Sequence, residues 1–457
     1  MNRVSFVAVG FALWFTFIAL WSPATEAKLA NVKHVIIIIQ ENRTPDNLFH
    51  GLQKYLPAAD IANTGIDSTG HTILLQPVQL GVGFDLGHSH SVFLNTYDNG
   101  KMDGADLNRC LSYVQTCPPH AAFHYVEYAD VAPYFSIAIN YSFANRMFQS
   151  NQGSSFAAHQ FLLAGTSQPA PNFPLFAAEN PVSSGGAGCV APPGQLVRLI
   201  GPDESENNFT YPCFEHQTLT DLLDKPPTHP TQPISWRYYG SPPEGSIWIA
   251  PDAIRHICVP GGTPLACLGP HWANGDISLY PPQVLNDIQK GALATVSWVT
   301  PSGYDSDHAG VATNSGPSWV SSIINAVGKS AYWKNTVIFV TWDDWGGWYD
   351  HVAPPIDPTL GYYEMGFRVP LMVVSPYTPK GYVSQKQHDF GSILHFVETA
   401  FDLGRIPPGN FADSRADDLL DFFDFSKPPR TFAPITAKYP SQVFLDPKRP
   451  MTAPDDD

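Results

Sequence analysis

Thr336-Val-Ile-Phe-Val-Thr-Trp342-Asp343-Asp344-Trp345-Gly346-Gly347-Trp348-Tyr349-Asp350-His351 passes from an apolar, β-branched run straight into two acids, two glycines and an Asp-His pair. The apolar part has the make-up of a strand covered on both faces, as in a parallel sheet, where hydrophobicity is continuous and does not alternate. Asp343 and Asp344 then stand at the strand's carboxyl end, where α/β sheets gather their ligands. Adjacent carboxylates in such a place repel and lose hydration unless a cation compensates them. A bound metal is one reading. A solvated acidic turn, with Gly346 and Gly347 supplying positive φ angles, is the other.

Three more runs share the strand character: Val35 to Ile39, Ala294 to Val299 and Val369 to Val374. Helical periodicity falls at Ser155 to Ala164, Val284 to Lys290, Trp319 to Val327 and Phe390 to Phe401. This pattern predicts an α/β fold with a central, mostly parallel sheet between helices. Residues 166–280 are dense in Pro, Gly, Cys and aromatics, and read as an irregular cap over the sheet's edge within a single domain spanning 28–457. The Pro-rich tail from about 425 to 457 either wraps the surface or is disordered.

With 457 residues, 44% of them hydrophobic, the chain can bury a large core. A net charge of −16 argues against nucleic acid and against adhesion to anionic membranes through basic patches. Residues 1–27 carry Arg3, an apolar run from Val4 to Trp21 and a small-residue stretch ending at Ala27, the layout of a secretory signal. The expectation is a secreted or periplasmic protein with no stable membrane anchor after cleavage, a retained anchor being the other reading of the apolar run. Six cysteines suit an exported protein, and pairing sequence neighbours is the economical choice: Cys110 with Cys117, Cys189 with Cys213, Cys258 with Cys267. Other connectivities stay open.

Three further constellations could carry chemistry. The first strand ends in Gln40-Glu41-Asn42-Arg43, so Glu41 and Asn42 can meet the Asp343-Asp344 pair if both strands are central. A Gly153-Ser154-Ser155 turn opens the helix carrying His159, and a serine at a helix N-terminus is either a nucleophile favoured by the dipole or an ordinary cap. His88 follows Asp85, and Asp307-His308 closes a polar loop, a residue choice that suits zinc or another divalent ion. There is no GxSxG elbow, Walker loop, dinucleotide fingerprint or HExxH motif. A glycosidase using Asp343 and Asp344 fails on geometry, since its two carboxyls must flank a bond from separate elements.

Together these residues resemble the bacterial phosphoesterase family of phospholipases C and secreted acid phosphatases, within the alkaline phosphatase superfamily, from about Val32 to Leu403. The family pattern Asp-Glu-Asn/His-Gly-Gly-x-aromatic-Asp-His-Val is similar to residues 343–352, and its Glu-Asn-Arg-Ser-Phe-Asp to residues 41–46. Its Asn-Gly-Gly-x-Met-Asp is looser here, at residues 98–103, and its nucleophile turn Ser/Thr-x-Pro-Asn-His/Arg resembles residues 155–159 with both Pro and Asn lost. Trp345 stands where Asn or His is usual, and Leu94 replaces a family histidine.

The resemblance implies an alkaline-phosphatase-like fold. It implies a divalent metal held by Glu41, Asp307, Asp343 and Asp344, and phosphate contacts from Asn42, His88 and His159. Ser155 would attack phosphorus to give a phosphoserine, with His308 or His351 protonating the leaving oxygen. The implied substrate is a phosphate monoester or a phospholipid. The competing expectation is a catalytically silent exported binding protein on the same fold, using some of its 11 tryptophans to hold a sugar or lipid.

Overall fold

The computed structural model describes Leu29 and residues 31–111, 117–183, 186–310, 313–356 and 362–454. The expected leader at 1–27 and the terminal Asp455 to Asp457 lie outside the described residues. The core is a six-stranded sheet built from β1 (His34–Gln40), β2 (Trp236–Tyr239), β3 (Ile277–Ser278), β4 (Val296–Val299), β5 (Thr336–Trp342) and β6 (Leu371–Val374). Their spatial order is β3-β2-β4-β1-β5-β6, parallel throughout except for the antiparallel edge strand β6.

The two central strands, β1 and β5, are the most continuously apolar, as burial on both faces requires. Ile36 to Ile39 are fully buried, each worth roughly 1.5–3 kcal/mol in transfer terms. Register shows how the faces are covered. Ile37 pairs with both Trp298 and Phe339, so these three point to one side. There Trp298 donates its indole N–H to Leu162 O of helix α2 (Ser155–Ala164), and Phe339 meets Phe396 of helix α4 (Phe390–Phe401) edge-on. Trp342, three residues on from Phe339, points to the other side and packs on Tyr134 of helix α1 (Tyr128–Asn140). Helix α3 (Gly316–Gly328) packs against α1. The result is the three-layer α/β architecture expected from the pattern.

Two departures concern the segment read as a cap. Residues 236–239 and 277–278 are strands of the central sheet, so 166–280 supplies one flank of the core as well as a covering layer. Trp236, Tyr238 and Tyr239 are therefore buried in the sheet. The three cysteine pairs form as expected, Cys110–Cys117, Cys189–Cys213 and Cys258–Cys267. The tail, as far as it is described, lies along the body: Asn325 exchanges hydrogen bonds with Ile435, and Arg430 reaches Thr378 O. Among the described residues no helix is long and apolar enough to cross a membrane.

Candidate active site

The carboxyl ends of β1 and β5 lie side by side because Gln40 pairs with Trp342. Beyond that pair the chains remain zipped: Asp343 N–H donates to Gln40 O, Asn42 N–H to Asp343 Oδ1 at 3.0 Å, and Arg43 N–H to Asp344 O. Asn42 turns in the left-handed region at φ 62°, which Asn tolerates better than most residues. The turn after the acids depends on Gly346 at φ 60°, where a Cβ would fall on the Asn42 carbonyl. The side chains of Glu41, Asn42, Asp343 and Asp344 are thereby gathered at one point.

Helix α2 closes the group from the side. All ten of its residues are buried, so its N-terminus is aimed into the protein. Ser155 Oγ donates to Asp344 Oδ2 at 3.1 Å and to Asn42 Oδ1 at 3.4 Å. One turn on, on the same helix face, His159 Nε2 lies 3.2 Å from Glu41 Oε1 and 3.8 Å from Asp343 Oδ2. His88 Nδ1 donates to Leu86 O, which leaves Nε2 to accept from Asn42 Nδ2 at 3.2 Å and sets it 4.0 Å from Asp344 Oδ2. Glu41, Asn42, His88, Ser155, His159, Asp343 and Asp344 thus form one buried cluster.

Its electrostatics are unbalanced. Burial drives the Glu41 carboxyl well above its ordinary range, and Asp343, Asp344 and Asp307 add repulsion. Asp344 is pushed up to about 7, by burial first and Asp343 second, with His88 pulling the other way. Burial lowers His159 to about 4 despite the nearby Asp343. Among the described residues no Lys or Arg pairs with Glu41, Asp343 or Asp344. Glu41 Oε2, Asp343 Oδ2 and His159 Nδ1 are buried without a hydrogen-bond partner. Donor atoms of Glu41, His159 and Asp343 lie within 4.8 Å of one another. Hard oxygens, one imidazole and orphaned lone pairs facing a common point fit a divalent cation.

Some expected residues are placed elsewhere. His159, expected at the phosphate, sits among the carboxylates of Glu41 and Asp343. Asp307 Oδ2 accepts from Tyr134 Oη at 2.7 Å and Trp342 Nε1 at 3.1 Å, while its Oδ1 is buried without a hydrogen-bond partner. Burial raises Asp307 to about 6, and Arg43 behind it counters that rise. His351 also departs from the cluster, because the Gly346-Gly347 turn redirects the chain. It bonds Asp46 through Nδ1 at 2.8 Å and Asp60 through Nε2 at 3.0 Å, beside the buried Arg368–Asp350 pair. His308 remains adjacent to the cluster, its ring 6.1 Å from that of His88 and 6.2 Å from Trp248, with Nδ1 donating to Ala309 O.

A cleft of about 770 Å³ leads to His88 and Ser154, its walls including Arg109, Glu179, Asn180 and Arg198. Residues 178–180 secure the start of α2, a role with no signal in the sequence. Asn180 Oδ1 accepts from Phe156 N at 2.9 Å, and Glu179 Oε2 accepts from Ser154 Oγ at 3.0 Å. Burial, with the charge of Glu206 next, lifts Glu179 to about 7.

The Phosphoesterase family model matches residues 32–404. Similar proteins include the non-hemolytic phospholipase C of Burkholderia pseudomallei, 32% identical over 171 residues covering 31% of this chain and 24% of that protein. Phospholipase C B of Mycobacterium tuberculosis is 28% identical over 200 residues, 38% of this chain and 37% of that one. The chain therefore matches between a quarter and two fifths of the length of these relatives. Among solved structures, an alkaline phosphatase superfamily protein from Vibrio parahaemolyticus is 11% identical, covers 87% of this chain and 70% of that one, and has a TM-score of 0.35.

Proposed function

This chain belongs to the Phosphoesterase family, and we propose that it is an exported, divalent-metal-dependent hydrolase of phosphoric esters acting through a phosphoserine at Ser155. The observation that carries this reading is the Ser155 hydroxyl, 3.1 Å from Asp344 Oδ2 at the N-terminus of a buried helix, beside a carboxylate cluster with unpartnered oxygens. Glu41, His159, Asp343 and Asp344 would hold the ion, zinc or another divalent metal. When bound, it would supply the positive charge that steadies the carboxylates and the phosphoryl oxygens.

The chain's own groups then divide the work. Asp344 Oδ2 receives the Ser155 hydroxyl proton along the existing hydrogen bond, and the helix N-terminus favours the developing alkoxide. Ser155 Oγ forms a bond to phosphorus as the ester oxygen leaves in line. Asn42 Nδ2 offers its second N–H to a phosphoryl oxygen, while His88 Nε2, accepting the first at 3.2 Å, fixes the orientation of the amide. His308, its Nδ1 held by Ala309 O, donates from Nε2 the proton that the leaving alcohol needs; water, losing a proton to the same nitrogen, then displaces Ser155 Oγ, which recovers its proton from Asp344 as the phosphate-containing product leaves. The substrate, a phosphate monoester or a phospholipid, enters by the cleft at Ser154.

The test is hydrolysis of 4-nitrophenyl phosphate and 4-nitrophenyl phosphorylcholine by the wild type and Ser155→Ala, with and without chelator. Turnover that falls by on the order of a thousandfold in the variant, and is restored to the wild type by a divalent ion after chelation, supports the reading. Full activity in Ser155→Ala would refute the phosphoserine. Absence of turnover across divalent ions would favour a silent binding protein.

A further inference from the structure

The family match ends at residue 404, yet the chain beyond it returns to the active-site loop. Arg449 donates from Nε to Asp305 Oδ1 and Oδ2 at 3.1 and 3.0 Å, and its Nη2 also meets Oδ1. Its guanidinium lies between the rings of Tyr304 and Phe444, 5.1 and 4.9 Å from their centroids. Asp305 is nearly buried, and Ser315 Oγ completes its coordination at 2.7 Å. Three residues further along the tail, Thr452 O accepts from Gly303 N at 3.1 Å and from Ser241 Oγ at 3.1 Å. A Cβ at Gly303 would collide with Ala453 O, so the tail sits in close backbone contact with this loop.

The same loop is tied to the catalytic strand end. Gln40, the last residue of β1 before Glu41, donates from Nε2 to Asp305 O at 3.4 Å and accepts from Asp307 N at 3.0 Å. Arg43 Nε donates to Asp307 O at 2.8 Å. Residues 303–308 are thus held from outside by the tail and from inside by β1, and His308 is the last residue of the span.

We propose that Arg449 is a positioning residue for the reaction: by clamping Asp305 it fixes the 303–308 loop and thereby aims His308 at the leaving-group oxygen. This rests on the reading of His308 as the proton donor. Arginine suits the task because its planar fork engages both carboxylate oxygens at once while stacking on rings, which lysine cannot match. A displacement of His308 by about 1 Å is enough to cost on the order of a hundredfold in a proton-transfer step.

A leaving-group series separates positioning from a general loss of stability. Proton donation matters for esters of weakly acidic alcohols and little for 4-nitrophenol, whose anion leaves unaided. The experiment measures kcat/KM, which reports the first chemical step, for 4-nitrophenyl, phenyl and alkyl phosphates with wild type, Arg449→Ala, Arg449→Lys and His308→Asn. Arg449→Ala is expected to lose roughly 10- to 100-fold on alkyl and phenyl esters and under about 3-fold on the 4-nitrophenyl ester, with Arg449→Lys intermediate. His308→Asn should steepen the same dependence.

An equal loss across the series in Arg449→Ala, or none, while His308→Asn steepens it, overturns the positioning role and spares the proposed function. A flat response in His308→Asn removes His308 as the donor and takes the positioning role with it. Should Arg449→Ala fail to fold, Arg449→Lys, which keeps the charge, is judged by the same criterion.

Discussion

Replacing Asp344 by Asn should make the metal-free protein more stable while abolishing its activity. The side chain is fully buried, and its carboxyl is raised from 3.8 to about 7, chiefly by burial and then by Asp343. Each pKa unit corresponds to ~1.4 kcal/mol, so holding this group ionised costs about 4 kcal/mol relative to the unfolded chain. The sign follows from a folded-state value above the unfolded one: folding takes up a proton between about pH 4 and pH 7. Stability therefore falls as pH rises through that window, and the whole cost is present above it.

Asn keeps the shape. Its Oδ1 still accepts from Gly346 N, a 2.7 Å bond in the wild type, and its NH₂ can donate to Ser155 Oγ in place of the present bond. Allowing about 1 kcal/mol for that rearrangement leaves a gain near 3 kcal/mol at pH 8. For a chain of 457 residues unfolding with about 2 cal/mol/K per residue, this is a rise in Tm of about 3 °C.

The assay is thermal unfolding in chelator at pH 5 and pH 8, followed by titration with divalent ions. The wild type should lose stability between the two pH values, and the variant should lose markedly less. With saturating metal the order should invert, because an ion that binds only the folded wild type adds about 4 kcal/mol at a thousand times its Kd. A variant less stable than wild type in chelator at pH 8 would refute the claim that the carboxylate cluster is held together against its own repulsion.

Further expectations follow from other parts of the site. Gly346→Ala places a side chain at φ 60° against the Asn42 carbonyl, and denaturant unfolding should register a loss of about 2–4 kcal/mol together with loss of turnover. Asn180→Ala removes the acceptor for Phe156 N at the start of α2; a stability loss of about 1–2 kcal/mol and a roughly tenfold drop in kcat/KM are expected, measured by unfolding and steady-state kinetics. In His351, burial lowers the pKa but the bond to Asp46 and the charges of Asp46 and Asp350 outweigh it and raise it to about 9. Its stabilisation is complete below about pH 6.5 and is lost as pH rises through 9. His351→Gln should therefore cost on the order of 2–3 kcal/mol at pH 6 and much less at pH 10.

The central strands were legible because burial on both faces leaves a continuous apolar run, as in Val35 to Ile39 and Val337 to Thr341. The strand Trp236–Tyr239 was not, because Arg237 interrupts it to pair with Asp287 and aromatics dominate the rest. Glu41, Asn42 and the Asp343-Asp344 pair were legible as acids and amides at strand ends, a position that sequence order alone reveals. His351 misled for a related reason: proximity in sequence to Asp344 says nothing once two glycines at positive φ reverse the chain. For Asp307, sequence order shows a buried acid beside a histidine but not Tyr134 and Trp342, far away in sequence, which donate to one of its two oxygens.

Two of the departures from the family pattern acquire different meanings once side chains are placed. Trp345 is fully buried and packs against Phe93 and Phe367, with its ring 6.1 Å from His88. It is a wall behind His88, so a larger ring at 345 bears on how firmly His88 is held against Asn42. The Pro and Asn absent at 157 and 158 would fall at the third and fourth positions of α2, in its first turn. Here both positions are Ala, buried inside the helix, and steadying comes from outside it: Asn180 holds Phe156 N while Glu179 holds the Ser154 hydroxyl. Gly153 permits this, since a Cβ there would strike Ala178 O and the chain 178–180 could not approach. The start of α2 is thus clamped by the covering segment, and the same segment lines the cleft, the substrate's entry in the function proposed above. Substrate contacts with residues 179–182 are then mechanically linked to the alignment of Ser155, so substitutions on that wall should alter kcat as well as KM.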